Sequence, residues 1–352
     1  MCTVSVVLLL AYIVISGHFQ LVSNLQPKGR EDCCFPDNIY SCFTSSMSPI
    51  TTAAPPSLVK LVPELGQSNV RMKDPAFVET AIRTMMRDAH HKLQVVADFD
   101  WTLSKYMENN QICSTTHSVL EESKFMPDFY KEEAKKLKDT YMPIEFDPTK
   151  TVAEKIPKMI EWWTKGHKVL EACQLTRDTL QHIVADSHAR LRNGCQWFFD
   201  KLHQLEIPIL IFSAGIGDVI HETITQQSSF HSENMKIVAN FLQFDEMGKM
   251  TGFAGDEIIH TFNKNENAIH SSDYFFNIKH RENLLLMGDS LGDLKMAEGA
   301  DHVECFLKIG FLNFKVEENL PQYSQSFDIV ILEDESLDVV NGMMRAILDL
   351  SS

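Results

Sequence analysis

Several common signatures are missing from this 352-residue sequence. Eight cysteines are present (Cys2, Cys33, Cys34, Cys42, Cys113, Cys173, Cys195 and Cys305), yet no two stand in a Cys-x-x-Cys spacing. A structural zinc site therefore lacks its usual ligand pattern. Spacings after Cys42 are wide and irregular, so free thiols in a reducing compartment are expected for the main body. No Asn-x-Ser/Thr sequon occurs, which weighs against secretion. Basic residues are in deficit: 32 Lys and Arg face 48 Asp and Glu, for a formal net charge of −16. That argues against a broad nucleic-acid-binding surface, which would be basic. A small anionic ligand stays open, because a local cation or metal overrides the global field.

A membrane-spanning apolar run is also wanting. The stretch Val4–Ser16 holds 13 residues, whereas a spanning helix needs about 20. It is closer to the core of a signal peptide, but no Lys or Arg precedes it and its cleavage signature is poor. Extended over residues 4–22 it becomes a marginal anchor. Residues 17–60 are rich in Ser, Thr and Pro and read as a linker. Residues 1–60 are thus expected to be either a targeting or anchoring segment, or a stretch with no part in the fold.

What is present is an ordinary globular composition, 44% hydrophobic and 23% charged, long enough for one large or two smaller domains. No internal repeat is visible. Asp74–His91 has the period of an amphipathic helix. Apolar strands are expected up to Asp98 and over Ile207–Gly215, Met235–Asn240, Asn283–Ser290 and Phe327–Leu332, with a hairpin over Phe244–Phe253 turning at Glu246–Gly248. Residues 115–205 carry a long helical pattern. Apolar strands alternating with helices imply an α/β fold, a Rossmann-like parallel sheet covered on both faces.

Ligands of such sheets sit at the carboxyl ends of the strands. Three of these strands end in chemically loaded motifs: Asp98-Phe99-Asp100, Ser213-Ala214-Gly215 and Gly288 to Asp293. In a strand, residues two apart point the same way, so Asp98 and Asp100 could share a face. Close carboxylates raise each other's pKa, and a divalent cation is the usual relief. One such pair is common; three loaded strand ends are not produced by packing needs alone.

The set DFDWT (Asp98–Thr102), Ser213, Lys264 and GDSLGD (Gly288–Asp293) resembles the four motifs of haloacid-dehalogenase-type phosphatases. With FSAGIGDVI (Phe212–Ile220), HTFNKN (His260–Asn265), LKIGFLN (Leu307–Asn313) and EWWTK (Glu161–Lys165), the chain is similar to the cytosolic 5′-nucleotidase III, or pyrimidine 5′-nucleotidase, family over roughly Pro63–Leu350. The resemblance implies a haloacid dehalogenase core over 61–105 and 206–352 with a mainly helical cap over 106–205. It implies that Asp98 attacks phosphorus and that Asp100 serves as acid and then base. It implies Mg²⁺ held by Asp98, the Asp100 carbonyl and Asp289, with Asp293 orienting the ligands or coordinating directly. Ser213, the Ala214 amide and Lys264 would hold phosphoryl oxygens.

By the same resemblance Glu145 is the base-reading carboxylate. It can accept from the cytosine amino group or from the N1 and N2 hydrogens of guanine. The double Trp of EWWTKGH resembles the branch that prefers 7-methylguanosine monophosphate, since an indole face attracts a flat cationic base. Trp163 is the expected platform and Trp162 the core residue. Gly166 stands where the family often has Ser or Ala, which removes a possible hydroxyl contact. Trp101 stands where the family usually has Met, and either lines the base pocket or packs. The expected protein is a cytoplasmic, monomeric, Mg²⁺-dependent nucleoside 5′-monophosphatase acting on 7-methyl-GMP and CMP or UMP, with no nucleic-acid polymer as partner. A membrane enters only through residues 4–22. Alternatives are a pyrimidine-only enzyme, a same-fold phosphatase for another small phosphoester such as phosphoserine, and a catalytically dead scaffold; the intact Asp98, Asp100, Lys264 and Asp289 argue against the last.

Overall fold

The computed structural model describes residues 58–147, 149–231, 233–255, 257–264 and 277–348, all within the unit that begins at Pro56. The apolar N-terminal run, the expected linker up to residue 57, and Cys2, Cys33, Cys34 and Cys42 lie outside the described residues; residues 58–60, expected as linker, instead belong to the short helix Leu58–Leu61, whose Leu58 is buried in the core. The other four cysteines are free thiols.

Eleven strands occur among the described residues: β1 (Val70–Met72), β2 (Leu93–Ala97), β3 (Met107–Glu108), β4 (Gln111–Ile112), β5 (Ile209–Ile216), β6 (Met235–Asn240), β7 (Leu242–Phe244), β8 (Met250–Phe253), β9 (Asn283–Gly288), β10 (Cys305–Leu312) and β11 (Ile329–Leu332). Seven form one sheet in the order β1-β11-β10-β9-β2-β5-β6. All its pairings are parallel except β1 with β11. The expected all-parallel sheet therefore gains an antiparallel edge and also a strand, β10, absent from the sequence reading. Lys308 and Gly310 interrupt the apolar run of β10 and obscure it.

Counted along the chain, the six parallel strands stand 3-2-1-4-5-6 across the sheet, which puts the reversal of strand order between β2 and β9. Such a switch point opens a crevice at the carboxyl ends of the strands. The Asp98 and Asp289 motifs flank it.

β2 and β9 are buried at every residue, as strands covered on both faces must be. Val95, Ala97, Ile209, Ile211, Leu285 and Met287 face one core; Val96, Leu210, Phe212, Leu284 and Leu286 face the other. Helix Pro75–Asp88 covers the first face with Val78, Ala81, Ile82 and Met85, a helical spacing. Asp74 caps it, accepting from the amides of Ala76 and Phe77, which contributes about 1 kcal/mol. The helix stops at Ala89, whose φ of 57° leaves the helical region, short of the expected His91.

Helices Thr116–Glu121, Asp128–Glu145, Val152–Glu171 and Arg177–Asp186 follow β2. They gather round a third cluster that includes Leu120, Tyr130, Leu170, Leu180 and Ile183. Helix Cys195–Gln204, also within 106–205, packs instead into the first core through Cys195, Phe198, Phe199 and Leu202. The hairpin β7–β8 turns at Asp245–Lys249 with Gly248 at φ 75°, a left-handed conformation that favours glycine. It packs on the helical layer: Met250 N donates to Leu175 O, and Leu242 and Met250 join the third cluster.

Candidate active site

β2 ends where its apolar run meets Asp98, whose amide donates to Met287 O at 3.0 Å and carries the pairing with β9 one residue further. Asp98 and Asp100 lie just past the strand rather than on one strand face. The chain turns there, with Trp101 at φ 59°, and the two carboxylates take different partners. Asp98 is 3% exposed; its Oδ1 accepts from Lys264 Nζ at 2.5 Å and its Oδ2 from Thr102 Oγ1 at 3.4 Å. Lys264 Nζ also donates to Asp293 Oδ1 at 2.8 Å. Burial pushes Asp98 up to about 7, with Lys264 opposing and the Asp293 charge adding to the rise. Burial disfavours charge on Lys264, yet the carboxylates of Asp293 and Asp98 outweigh it and hold its pKa above the ordinary value.

Asp100 turns to the helical layer. Its Oδ1 accepts from the Thr116 amide at 2.9 Å and its Oδ2 from Thr116 Oγ1 at 2.8 Å. Burial raises it to about 6 against those two hydrogen bonds. Ile216 N donates to the same Thr116 hydroxyl at 3.3 Å, so Thr116 joins the Asp100 loop to the end of β5. A Cβ on Gly215 would lie 2.0 Å from that hydroxyl, so any larger residue would displace Thr116 from Asp100.

Past the end of β9 the chain forms a 3₁₀ segment, Leu291–Ala297. Its turn brings the carboxylates of Asp289 and Asp293 together. Asp293 Oδ2 accepts from the Ser290 amide at 2.9 Å and from Ser290 Oγ at 2.8 Å. Gly288 allows this approach, since a Cβ there would stand 2.5 Å from Asp293 Cβ. Carboxylate oxygens of Asp98, Asp289 and Asp293 lie within 4.8 Å of one another. Burial, then the charges of Asp98 and Asp293, raise Asp289 well above the usual carboxylate range. Three convergent hard oxygen donors whose mutual repulsion a cation would relieve fit Mg²⁺.

Ser213 is buried, and its Oγ accepts from Gly215 N at 3.0 Å. Ala214 O accepts from Asn240 Nδ2 at 2.9 Å and from Trp163 Nε1 at 3.1 Å. Asn240 also exchanges two hydrogen bonds with the backbone of Ile259, which brings the segment leading to Lys264 to the same strand end.

A cavity of about 480 Å³ lies in the helical layer, lined in part by Trp101, His117, Trp162, Trp163, Gly166 and His167. Trp162 stacks on Tyr141 with ring centres 5.9 Å apart, while Trp163 meets the edge of His117 at 6.0 Å. A Cβ on Gly166 would meet nothing within 4 Å, so this glycine enlarges the cavity. Burial lowers both His117 and His167 to about 4, which keeps their rings neutral. Trp101 both packs and lines: it meets Tyr106 and Phe314 edge-on and borders the cavity. Glu145 ends helix Asp128–Glu145 outside the cavity lining. Its Oε1 accepts from Thr261 Oγ1 at 2.6 Å, and burial raises its pKa despite that bond.

Sequence reading missed three supports. Thr116 and Asn240 are two of them. The third is Arg192, 1% exposed, whose guanidinium donates to the carbonyls of Thr102, Trp101 and Asp334 and to Asn313 Oδ1. It fixes the loop after Asp100. Single polar residues carry no periodic signal, so spacing did not reveal them.

Residues 101–348 match the family model described as pyrimidine 5′-nucleotidase (UMPH-1). The chain belongs to the pyrimidine 5′-nucleotidase family. Its match begins one residue past Asp100, but the relatives reach further. The 7-methylguanosine phosphate-specific 5′-nucleotidase A of Xenopus laevis is 47% identical over 284 residues, 81% of this chain and 97% of that protein. The human 7-methylguanosine phosphate-specific 5′-nucleotidase is 43% identical over 287 residues, 82% of this chain and 95% of that one. The crystal structure of cytosolic 5′-nucleotidase IIIB bound to cytidine superposes with a TM-score of 0.77 at 36% identity, covering 83% of this chain and 97% of that chain. As a member of this family the chain is an enzyme, a 5′-nucleotidase with the Rossmann-like α/β fold.

Proposed function

We propose that this nucleotidase hydrolyses 7-methyl-GMP and the pyrimidine nucleotides CMP and UMP to nucleoside and phosphate, through a phosphoryl group carried on Asp98. One observation carries the reading. Asp98, Lys264 and Asp293 form a buried chain of contacts at the sheet's switch point, while Asp100 is aimed separately by Thr116.

Asp98 attacks phosphorus, and the bond to the ribose 5′ oxygen breaks as Asp100 gives that oxygen a proton. Asp100 then takes a proton from the water that attacks the aspartyl-phosphate, releasing phosphate and restoring the Asp98 carboxylate and the protonated Asp100. A carboxyl group raised to about 6 can hold and return a proton near neutral pH. Lys264, the Ser213 hydroxyl and the Ala214 amide bind the phosphoryl oxygens and stabilise charge that develops on them. Asp98, the Asp100 carbonyl and Asp289 would hold Mg²⁺, with Asp293 orienting the set. Bound there, the ion supplies further neutralisation of the phosphoryl charge.

The cavity beside Trp163 takes the base. The indole face favours the cationic 7-methylguanine ring, and the space left by Gly166 accepts its bulk. Glu145, outside the cavity lining and held by Thr261, would have to release Thr261 and turn toward the base to accept from its exocyclic amino or ring N–H groups. The named specificity of the Xenopus and human relatives supports 7-methyl-GMP as a substrate. We further propose a cytoplasmic monomer acting on free nucleotides.

Phosphate release with Mg²⁺ from 7-methyl-GMP, CMP, UMP, GMP, AMP and phosphoserine tests the reading. Cleavage of 7-methyl-GMP and CMP ahead of GMP and AMP is expected. A pyrimidine-only profile removes the Trp163 platform; cleavage of phosphoserine alone removes the nucleotide.

A further inference from the structure

The described residues hold a second cluster of metal-ligating side chains, remote from the first. Nitrogen atoms of His203 and His231 and a carboxylate oxygen of Glu233 lie within 4.8 Å of one another. His203 stands in the last turn of helix Cys195–Gln204; His231 and Glu233 stand in the segment before β6. Asp200, one turn earlier on the helix, has Oδ1 3.2 Å from His231 Nε2.

We propose that His203, His231 and Glu233 form a binding site for a borderline-soft divalent transition ion, Zn²⁺ above all. Two imidazoles and one carboxylate are a common three-residue zinc set, with water completing the tetrahedron. Ligand chemistry separates the two clusters. The Asp98, Asp289 and Asp293 set is all oxygen and suits Mg²⁺, which dehydrates reluctantly and seldom takes imidazole. The His203 set is nitrogen-rich and suits Zn²⁺. Asp200 is in reach to orient the His231 ring, the usual outer partner of a ligating histidine.

The described backbone on either side of the site is hydrogen-bonded. Met235 N donates to His231 O at 2.9 Å, Ile209 N to Asn234 O at 2.8 Å, and Asn234 Nδ2 to Ile207 O at 2.8 Å. The two imidazoles stack with ring centres 3.9 Å apart and planes at 3°. Binding therefore needs one ring to swing about χ2, a broad torsion in histidine, rather than a backbone shift. The bound ion would tie helix Cys195–Gln204 to the start of β6. This is the amino-terminal edge of the sheet, since Ile209 pairs with Met235 there. The nucleotide site is at the opposite, carboxyl-terminal edge, so the ion acts on stability and not on turnover.

The test is a Zn²⁺ titration of the full chain against a chromophoric chelator, in millimolar Mg²⁺ that keeps the carboxylate site filled. Thermal unfolding is followed in parallel. One Zn²⁺ equivalent is expected in the wild type and in Asp98→Asn. Its affinity is expected to fall at least tenfold in His203→Ala and in His231→Gln, two variants that remove different ligands. Tm is expected to rise by roughly 4 °C when free Zn²⁺ stands a hundredfold above its Kd, and not to rise in either variant. Absence of a Zn²⁺ equivalent in the wild type overturns the proposal, as does undiminished binding in both histidine variants. Loss of the equivalent in Asp98→Asn would assign the ion to the carboxylate cluster and overturn it equally.

Discussion

Trp163 donates its indole N–H to the carbonyl oxygen of Ala214 at 3.1 Å, which ties the helical layer to the strand end that carries Ser213. The same side chain borders the cavity, so its two functions can be separated by substitution. Trp163→Phe keeps a ring and loses the hydrogen bond. A loss of about 1 kcal/mol, or roughly fivefold in kcat/KM, is expected on every substrate. Trp163→Ala removes the ring as well, and its kcat/KM on 7-methyl-GMP is expected to fall further than that on CMP. Equal losses on the two would assign Trp163 to packing alone.

Thr116 positions Asp100 through two hydrogen bonds, one from its amide and one from its hydroxyl. Thr116→Val keeps the amide contact and removes the hydroxyl, which lowers the Asp100 pKa in the wild type. Its loss leaves that pKa higher, so the alkaline limb of the kcat profile is expected to move to higher pH. A fall of about tenfold in kcat with KM little changed is the accompanying signature. A matching rise in KM with kcat intact would place Thr116 in substrate binding instead.

Gly166 lies inside helix Val152–Glu171, with open space where a Cβ would stand. Gly166→Ala is expected to stabilise the fold by about 0.5–1 kcal/mol, read as a higher urea midpoint. Because the added methyl enters the cavity, KM for 7-methyl-GMP is expected to rise relative to CMP. A lower midpoint would mean the position is already filled.

His117 and His167 are each lowered to about 4 by burial. Free in the unfolded chain, both protonate near 6.5. Between about pH 6.5 and pH 4 the unfolded state therefore binds more protons, and stability falls as pH falls through that window. Urea midpoints measured across it should drop on acidification, and less steeply in His117→Gln. An unchanged slope in that variant would show that His117 is accessible to solvent protons in the fold.

Much of the sheet was legible because strands buried on both faces read as largely apolar runs: β5, β9 and β11 do, β2 is broken only by Gln94, and the edge strand β6 by Lys236 near its start. β10 did not, since Lys308 and Gly310 break its run, and β1 is three residues long, too short for any period. Asp98, Asp289 and Asp293 were visible as charges set against apolar runs. Lys264 has no such setting and stood out only through the family resemblance. The division of the two aspartates between Lys264 and Thr116 depends on the turn at Trp101, a local conformation that strand alternation does not encode. Glu145 shows the same limit. The family resemblance suggested base reading for it, but its hydrogen bond to Thr261 is a tertiary contact between distant segments.

The residue that carries phosphate during turnover is the most direct measure of the account. Acid-quenched turnover of CMP or 7-methyl-GMP with Mg²⁺, followed by peptide mass spectrometry, locates it. Phosphate on Asp98 at early times, absent in Asp98→Asn together with turnover, is the expected result. Product release at wild-type rate by Asp98→Asn, or phosphate on any other residue, would contradict it.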